Sequence, residues 1–390
     1  MDVSLFIASR LRIKGRMAML CIAVSFLVMI IAVSVSSGFR HAIRDGLADV
    51  SGDIQITPVD MNFIGGTSPI ERHPSWLVHM EALDGVRSVD PVVYRAGIVK
   101  NGDNIHGVVF KGVCWHGADS LAPLEVSVPR RLASMLSLGP GDEMLTYFIG
   151  ERIRARKFRV AEVHDALADA DDRMVVYAGL SDMQRINGWD SESISAFEVI
   201  LDDSRRNVRD METIASHAGF ITFSYAGEEE STVVCTSAVS RYPQLFDWLN
   251  LIDFNVLFIL VLMTVVAGFN MISGLLIMLF ENISTIGLLK SLGMTDRAIA
   301  RIFLASSSSI VLKGMCAGNL LAFVFCAVQG IWHPLSLDPS NYFVPYVPVH
   351  IDVGMVLLAD LAAYAVIMLL LLIPSLFIAK VDPARSVAVK

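Results

Sequence analysis

The sequence predicts an α-helical membrane bundle of four transmembrane helices with a large α+β domain inserted between helices 1 and 2. Three observations support this fold class. The 390 residues are 54% hydrophobic and 18% charged, with a mean hydropathy of +0.57, which is too apolar for a soluble protein and too charged for a bundle alone. Four apolar runs are long enough to cross a hydrocarbon core of about 30 Å. The stretch 40–253 contains no such run.

The first apolar run follows a basic N-terminus. Residues 1–16 carry four basic residues against one acidic residue, and Met17–Ser37 then carries no charge. A cleaved signal peptide is the alternative, but its hydrophobic region is usually shorter and ends at an A-x-A-like site, whereas SVSSGFR follows in this chain. We therefore expect a retained helix with a cytoplasmic N-terminus.

Basic residues also mark the other segments that we expect in the cytoplasm, whereas the loop 330–352 contains no Lys or Arg and is expected outside. The predicted topology has four spans with both termini inside. The predicted segments are the cytoplasmic N-terminus 1–16, helix 17–37, the exported domain with its stalk 40–253, helix 254–280, the cytoplasmic coupling helix 281–301, helix 302–329, the external loop 330–352, helix 353–378 and the cytoplasmic tail 379–390.

Short alternating elements within 40–253 predict an α+β domain. Val92–Lys100 and Asn104–Val113 flank an Asn-Gly-Asp turn, a pattern that predicts a β-hairpin. A helix is expected near Arg205–Ala218, and the apolar stretch Phe220–Phe223 completes the pattern.

The stretch Glu281–Phe303 lies between the second and third apolar runs. Leu288, Leu289 and Leu292 are predicted to share one face of a short helix, and Lys290 is predicted to face away. An amphipathic helix between two spans can lie along the membrane face and present side chains to a partner, or it can be only an interfacial anchor.

The same stretch contains signals that end one helix and start another. Gly293 is placed to adopt the left-handed conformation that ends the first helix. Thr295 is placed as the N-cap of the next helix, with Asp296 in its first turn. The sequence therefore predicts a sharp turn after the short helix.

This stretch resembles the E-x(4)-IG-x-LK-x-LG signature of FtsX-like permeases, the membrane subunits of MacB-type ABC transporters. Asn282–Thr285 departs from the basic and acidic residues common in that family. The resemblance implies that the short helix docks on a cytoplasmic ATPase, with Leu288 and Leu292 as apolar anchors and Lys290 and Glu281 as polar contacts. The residues assigned to this coupling role are Glu281, Ile286, Gly287, Leu288, Leu289, Lys290, Leu292 and Gly293.

The exported domain 40–253 also resembles one branch of this family, the lipoprotein-releasing (Lol-type) permeases. Collinear matches carry the resemblance: IHGVVFKGV (105–113), LASMLSLGPGDEM (132–144), KFRVAEV (157–163), MQRINGWD (183–190) and RYPQLFDWLNLIDFNV (241–256). It implies a periplasmic α+β domain on a multi-pass protein of the cell inner membrane. It also implies four partners: a cytoplasmic ABC ATPase, a second permease subunit in a homo- or heterodimer, lipoprotein cargo, and a periplasmic carrier.

Two other functions remain open. Within the same family, an FtsX-like regulator activates periplasmic cell-wall hydrolases without transport. From a different class, a membrane-tethered sensor would use the short helix only as a structural element. Co-purification with an ATPase would reject the sensor, and crosslinking of the external domain to acylated protein would reject the regulator.

The chain lacks the usual catalytic motifs. It has no G-x(4)-GK-[ST] sequence, so ATP hydrolysis is expected in a separate subunit. It has no G-x-S-x-G, HExxH or CxxC motif, and its nine histidines show no metal-ligand spacing, so no cofactor or metal is expected. A net charge of −8 argues against a nucleic-acid partner. A bridge between Cys114 and Cys235 is left open.

Ionisable residues inside apolar spans are costly and often functional. Lys313 and Asp360 lie in the third and fourth spans, with Asn270 and Asn319 as further polar groups. Counting about 1.5 Å per residue from the span ends places Lys313 and Asp360 at similar depths. We therefore expect them to pair, with Asn270 close to the same ammonium. The four-residue spacing of two glycines beside Lys313 also predicts close helix packing.

Overall fold

A computed structural model describes residues 16–60, 63–65, 68–102, 104–114, 121–150, 153–164, 174–338, 342 and 344–375. The predictions for most of the basic N-terminus, for the end of the fourth span at 376–378 and for the tail lie outside these residues. The chain divides into two units. The membrane unit comprises Met1–His41, Leu249–Leu337 and Tyr346–Lys390. The sheet unit comprises Ala42–Trp248 and Asp338–Pro345.

Short helices lie between groups of strands along the sheet unit, and long helices dominate the membrane unit. In chain order they are α1 Arg16–Ser51, β1 Ile54–Pro58, β2 Ile70–Glu71, α2 Leu77–Glu81, β3 Val86–Asn101, β4 Asn104–Val113, β5 Glu125–Pro129, α3 Arg130–Leu136, β6 Glu143–Phe148, β7 Arg154–His164, β8 Val175–Gly179, α4 Leu180–Asn187, β9 Ser193–Ile194, β10 Ala196–Leu201, α5 Val208–Ser224, β11 Val233–Ser237, α6 Ala238–Arg241, α7 Pro243–Glu281, α8 Ile283–Ser291, α9 Asp296–Trp332 and α10 Val353–Ser375. Short 3-10 turns occur at Phe63–Gly65 and Asp203–Arg205.

Four of these helices, α1, α7, α9 and α10, are long and apolar enough to cross a membrane by length and composition. One apolar cluster in the membrane unit draws buried side chains from all four of them and from the short helix α8. Phe26 of α1, Met271 of α7, Ile286 of α8, Phe303 of α9 and Ile367 of α10 are representative members. The short helix is therefore packed against the spans through its own side chains.

Two glycines bring α9 close to α1. A Cβ atom on Gly314 would lie 2.8 Å from Cγ2 of Ile22, and one on Gly318 would lie 2.5 Å from the backbone oxygen of Ala23. Only glycine permits these approaches, because a methyl group would overlap backbone or branched side-chain atoms. The predicted close packing at these two positions is confirmed.

The sheet unit is built on nine strands in the order β11-β1-β10-β3-β4-β8-β5-β7-β6, and β6 also pairs with β3. The pairing of β6 with β3 closes six strands into a ring, in the order β3, β4, β8, β5, β7 and β6. Phe110, Phe148 and Phe158 are buried together in it, with ring centroids 5.1 to 6.2 Å apart. Closure leaves these six strands without a free edge, and aromatic side chains fill the interior.

Strands β10, β1 and β11 extend the sheet beyond β3, all in antiparallel pairings. The apolar face of this extension contains Ile54, Ile56 and Phe197, and Trp76 contacts Phe197 edge-on at 5.2 Å between ring centroids. The helix α5 contributes the buried side chain of Met211. The unit thus combines α and β elements, as the sequence predicts.

The hairpin prediction is confirmed and one boundary is corrected. Strands β3 and β4 pair antiparallel with Asn101 opposite Asn104, and the turn residue Asp103 lies outside the described residues. Phe220–Phe223 is the end of α5, not a separate element, and the strand that follows is β11. The two phenylalanines are exposed, so their apolar character does not indicate burial. Cys114 and Cys235 are both free thiols.

Candidate functional site

The turn that ends α8 has the hydrogen-bond pattern of a Schellman motif. Gly293 has φ of +87° and its amide donates to the Lys290 carbonyl at 3.0 Å, while the Met294 amide donates to the Leu289 carbonyl at 3.0 Å. The Thr295 hydroxyl then accepts the amide of Ala298, which makes it the N-cap of α9. The predicted left-handed helix end at Gly293 and the predicted N-cap at Thr295 are confirmed. The two helices are therefore joined by a tightly hydrogen-bonded turn.

The faces of α8 differ sharply in burial. Ile286 is fully buried and Gly287 is also buried. Leu288 and Leu292, four residues apart, are 56% and 76% exposed. Because residues four apart lie on the same side of a helix, they form one exposed apolar pair. We call Leu288 and Leu292 the leucine pair.

Leu289 does not join the leucine pair, which corrects the predicted face. Its side chain is partly buried and packs against the apolar cluster of the membrane unit, as does Met294. An apolar environment for the residues on either side of the turn commonly accompanies a Schellman motif. Leu289 therefore holds α8 in place, whereas the leucine pair is free to contact a partner.

Lys290 is also turned inward, in contrast to its expected place as an exposed polar contact. Its Nζ lies 2.9 Å from Oδ1 of Asp296, and its side chain is only 10% exposed. This ion pair connects the end of α8 to the first turn of α9, where a carboxylate also interacts favourably with the helix dipole. Glu281, by contrast, is exposed at the end of α7. The charged residues of the signature thus occupy different environments.

The polar residues of the spans do not form the expected pair. Asn319 donates from Nδ2 to Oδ2 of the buried Asp360 at 2.5 Å. Lys313 is exposed, and it forms no ion pair or hydrogen bond with any residue that the structure describes. Asn319 and Lys313 are six residues apart, so they point about 120° apart around α9. Counting residues predicts depth in the membrane and gives no information about this angle.

Asn270 is half-buried in α7, and the predicted hydrogen bond to the Lys313 ammonium is not formed. It forms no hydrogen bond with the described residues. Of the four polar residues singled out in the spans, the structure therefore brings together only Asn319 and Asp360. One oxygen of each, Oδ1 in both cases, is buried without a hydrogen-bond partner among the described residues.

A second polar contact in the membrane unit was not predicted. The Arg40 guanidinium lies 2.5 Å from Oδ1 of Asp253, and the same oxygen accepts the Ser36 hydroxyl at 2.7 Å. These residues join α1 to α7 at the two points where the sequence predicts that the chain enters and leaves its exported domain. One charged residue at each boundary is the signal that could have indicated the pair.

Residues 257–383, which include the whole of α8, match the model of the FtsX-like permease C-terminal family. Among the residues that the structure describes, no group of three or more His, Cys, Asp or Glu side chains could hold a metal ion.

Similarity to curated proteins extends over nearly the whole chain. The lipoprotein-releasing system transmembrane protein LolC of Xylella fastidiosa is 21% identical over 394 residues, covering 95% of this chain and 92% of that protein. LolE of Haemophilus influenzae is 21% identical over 403 residues, covering 93% and 91%.

Two solved structures align with part of the chain. The periplasmic region of MacB from Actinobacillus actinomycetemcomitans aligns at 12% identity, covering 51% of this chain and 95% of that one, with a TM-score of 0.32. The extracellular domain of YknZ from Gram-positive bacteria aligns at 11% identity, covering 46% and 98%, with a TM-score of 0.30. From the family match and the curated relatives, the chain carries an FtsX-like permease domain and is a homologue of the Lol-system transmembrane proteins LolC and LolE.

Proposed function

We propose that this chain is the membrane subunit of an ABC transporter that releases lipoproteins from the cell inner membrane. Cytoplasmic ATP hydrolysis would drive a conformational change in its external domain. The observation that carries the proposal is the leucine pair, exposed on a short, firmly held helix within the FtsX-like permease match. Similarity to lipoprotein-releasing proteins over 95% of the chain supports the choice of cargo.

In this proposal the four apolar helices form a transmembrane bundle with both termini in the cytoplasm, and the sheet unit is periplasmic. The segment 40–253 is then the periplasmic domain with its stalk, and 281–301 is the cytoplasmic coupling segment. A periplasm-active reporter fused after Met294 is expected to be silent, and one fused near Asn341 is expected to be active. The reverse pattern would reject this topology.

The coupling segment acts by docking in this proposal. The leucine pair would enter an apolar pocket of the ATPase, with Glu281 as a polar contact at the edge. Ile286, Gly287 and Leu289 would hold the docked helix against the spans. Because this anchoring is apolar and extensive, movement of the ATPase would displace the spans instead of the helix alone.

The partners follow from the same proposal. They are a cytoplasmic ABC ATPase, a second permease subunit, lipoprotein cargo, and a periplasmic carrier that receives it. The chain itself would supply no catalytic group, since the P-loop chemistry belongs to the ATPase. Its contribution would be mechanical.

The test is ATP-driven release of a labelled triacylated lipoprotein from liposomes that contain the chain and its co-purified ATPase. Leu292→Asp is expected to abolish ATPase co-purification and release, because a carboxylate cannot enter an apolar contact without a large desolvation cost. Val78→Asp is the matched control, since Val78 is 71% exposed on the short helix α2 of the sheet unit. It is expected to retain both activities.

Two results would contradict the proposal. If Leu292→Asp retains ATPase binding and release, the helix α8 is only an interfacial anchor. If photo-crosslinking from the sheet unit captures a cell-wall hydrolase and no acylated protein, the regulator function replaces transport. Leu289→Asp is unsuitable as a docking test, because that side chain packs internally and its loss would destabilise the membrane unit.

A further inference from the structure

The last turn of α1 ends against the sheet of its own unit. Gly52 follows the helix with φ of +68°, and its amide donates to the Ala48 carbonyl at 2.9 Å. A Cβ atom on Gly52 would lie 2.9 Å from Cβ of Glu198, so glycine allows the helix end to approach β10. The remaining carbonyls of this turn require donors from elsewhere.

Lys111 of β4 supplies those donors. Its Nζ donates to the carbonyls of Asp49 at 2.9 Å and Val50 at 3.0 Å, and to Oε2 of Glu198 at 2.7 Å. An ammonium has three hydrogens, so its capacity is fully used. The Lys111 and Glu198 side chains are only 3% and 5% exposed. A cation at this position also interacts favourably with the negative end of the helix dipole.

The carboxylate of Glu198 is fixed from its other side. The Tyr94 hydroxyl donates to Oε1 of Glu198, and Nε2 of Gln55 donates to the Tyr94 hydroxyl at 2.9 Å. Burial raises the pKa of the Glu198 carboxyl, and the Lys111 ammonium opposes that shift. Lys111 belongs to the closed ring of strands and Glu198 to the extension. The network therefore joins both parts of the sheet to the end of α1.

We infer that Lys111 is a positioning residue that fixes the end of α1 to the sheet, so that displacement of this helix is transmitted to the whole sheet unit. The inference rests on the proposed function, because it assumes that α1 moves during the ATPase cycle. Tyr177 assists by donating its hydroxyl to the Asp49 carbonyl at 3.2 Å. Arg206 provides separate contacts on both sides of the helix end, to Asp45 at 3.1 Å and, from Nε, to Oδ2 of Asp53 at 2.9 Å; Lys111 contacts the last carbonyls of the helix itself.

The test compares Glu198→Gln with the double variant Lys111→Met/Glu198→Gln in the full complex with its ATPase. Glu198→Gln leaves the lysine on the helix carbonyls, whereas the double variant removes the lysine without leaving a buried carboxylate. Hydrogen exchange of the amides in 46–52 reports whether the helix end is held. Lipoprotein released per ATP hydrolysed reports whether movement is transmitted.

We expect the double variant to raise amide exchange in 46–52 roughly 10- to 100-fold, the effect of losing hydrogen bonds to a charged donor. Release per ATP should fall at least about fivefold while ATP hydrolysis continues. Glu198→Gln removes the buried counter-charge of Lys111 but keeps the lysine on the helix carbonyls, so it should change both readouts less than the double variant does. Should the double variant fail to fold, Lys111→Gln/Glu198→Gln replaces the lysine by a shorter neutral amide without leaving a buried carboxylate, and it should raise the exchange about 2- to 10-fold.

Three outcomes would overturn the inference. Unchanged exchange in the variants would show that Lys111 does not hold the helix end. Raised exchange with normal release per ATP would show that this contact does not transmit movement. Equal losses in Glu198→Gln and the double variant would assign the effect to general stability of the sheet. If the unmodified complex shows no ATP-driven release, the proposed function fails, and the exchange measurement still decides whether Lys111 holds α1.

Discussion

Truncation of the leucine pair gives the most quantitative test of the docking surface. Leu288 and Leu292 are 56% and 76% exposed, so a partner could bury most of both side chains. Full burial of a leucine contributes about 1.5–3 kcal/mol, and scaling by the exposed fractions gives about 2–4 kcal/mol for the pair. The methyl group left by alanine retains part of this area. We therefore expect Leu288→Ala/Leu292→Ala to weaken ATPase binding by about 1.5–3 kcal/mol, or about 10- to 140-fold.

The assay is a titration of purified ATPase onto the chain in lipid nanodiscs, followed by fluorescence. Alanine favours helix formation, so α8 should remain intact in the variant. Val78→Ala removes a similarly exposed apolar side chain from α2 and should leave the dissociation constant unchanged. A change of less than about twofold in the double variant, with normal binding by the unmodified chain, would refute the docking role of the leucine pair.

Three further substitutions test internal contacts. Lys290→Met should weaken ATPase binding in the same titration, because it breaks the ion pair that holds α8 to α9, although Lys290 itself is mostly buried. The charge-reversed variant Lys290→Asp/Asp296→Lys should restore binding except for about 0.3–1 kcal/mol, the cost of a cation at a helix N-terminus. If this variant does not restore binding, Lys290 contacts the ATPase directly. Asn319→Leu leaves the buried Asp360 carboxylate without its hydrogen-bond donor and should destabilise the detergent-solubilised protein by about 1–3 kcal/mol in a thermal unfolding measurement. The double variant Asn319→Leu/Asp360→Leu should recover most of this loss. Gly318→Ala places a methyl group 2.5 Å from a backbone oxygen of α1 and should cost about 1–3 kcal/mol in the same measurement, so an unchanged unfolding temperature would contradict the close packing of α9 on α1.

Local signals in the sequence predicted local structure well. Gly293 and Thr295 were assigned correctly because a left-handed helix end and an N-cap depend on a few neighbouring residues. The hairpin between β3 and β4 is predictable for the same reason, since its turn residues lie between the two paired strands in the sequence.

Partners distant in sequence were not predictable in this way. Lys111 of β4 and Glu198 of β10 meet only after the sheet has formed, with β3 between their two strands in the strand order. Nothing near either residue indicates the other. The predicted pairing of Lys313 with Asp360 is wrong for a related reason. Counting residues gives the depth of Lys313 in the span but not the side of α9 on which it lies.

Lys111 and Lys290 have a similar structural role in two different parts of the molecule. Each side chain is largely buried, and each joins a helix end to an adjacent element: Lys111 contacts the last carbonyls of α1, and Lys290 pairs with Asp296 in the first turn of α9. Lys111 and Glu198 are both buried, so the loss of either partner would leave an uncompensated charge in the sheet unit. Charged hydrogen bonds are directional, so they fix the orientation of a helix end relative to its neighbour better than apolar packing alone does. Rigid connections at the short helix and at the end of α1 are what the proposed transmission of movement requires, and in that proposal the apolar leucine pair would let the contact with the ATPase form and separate.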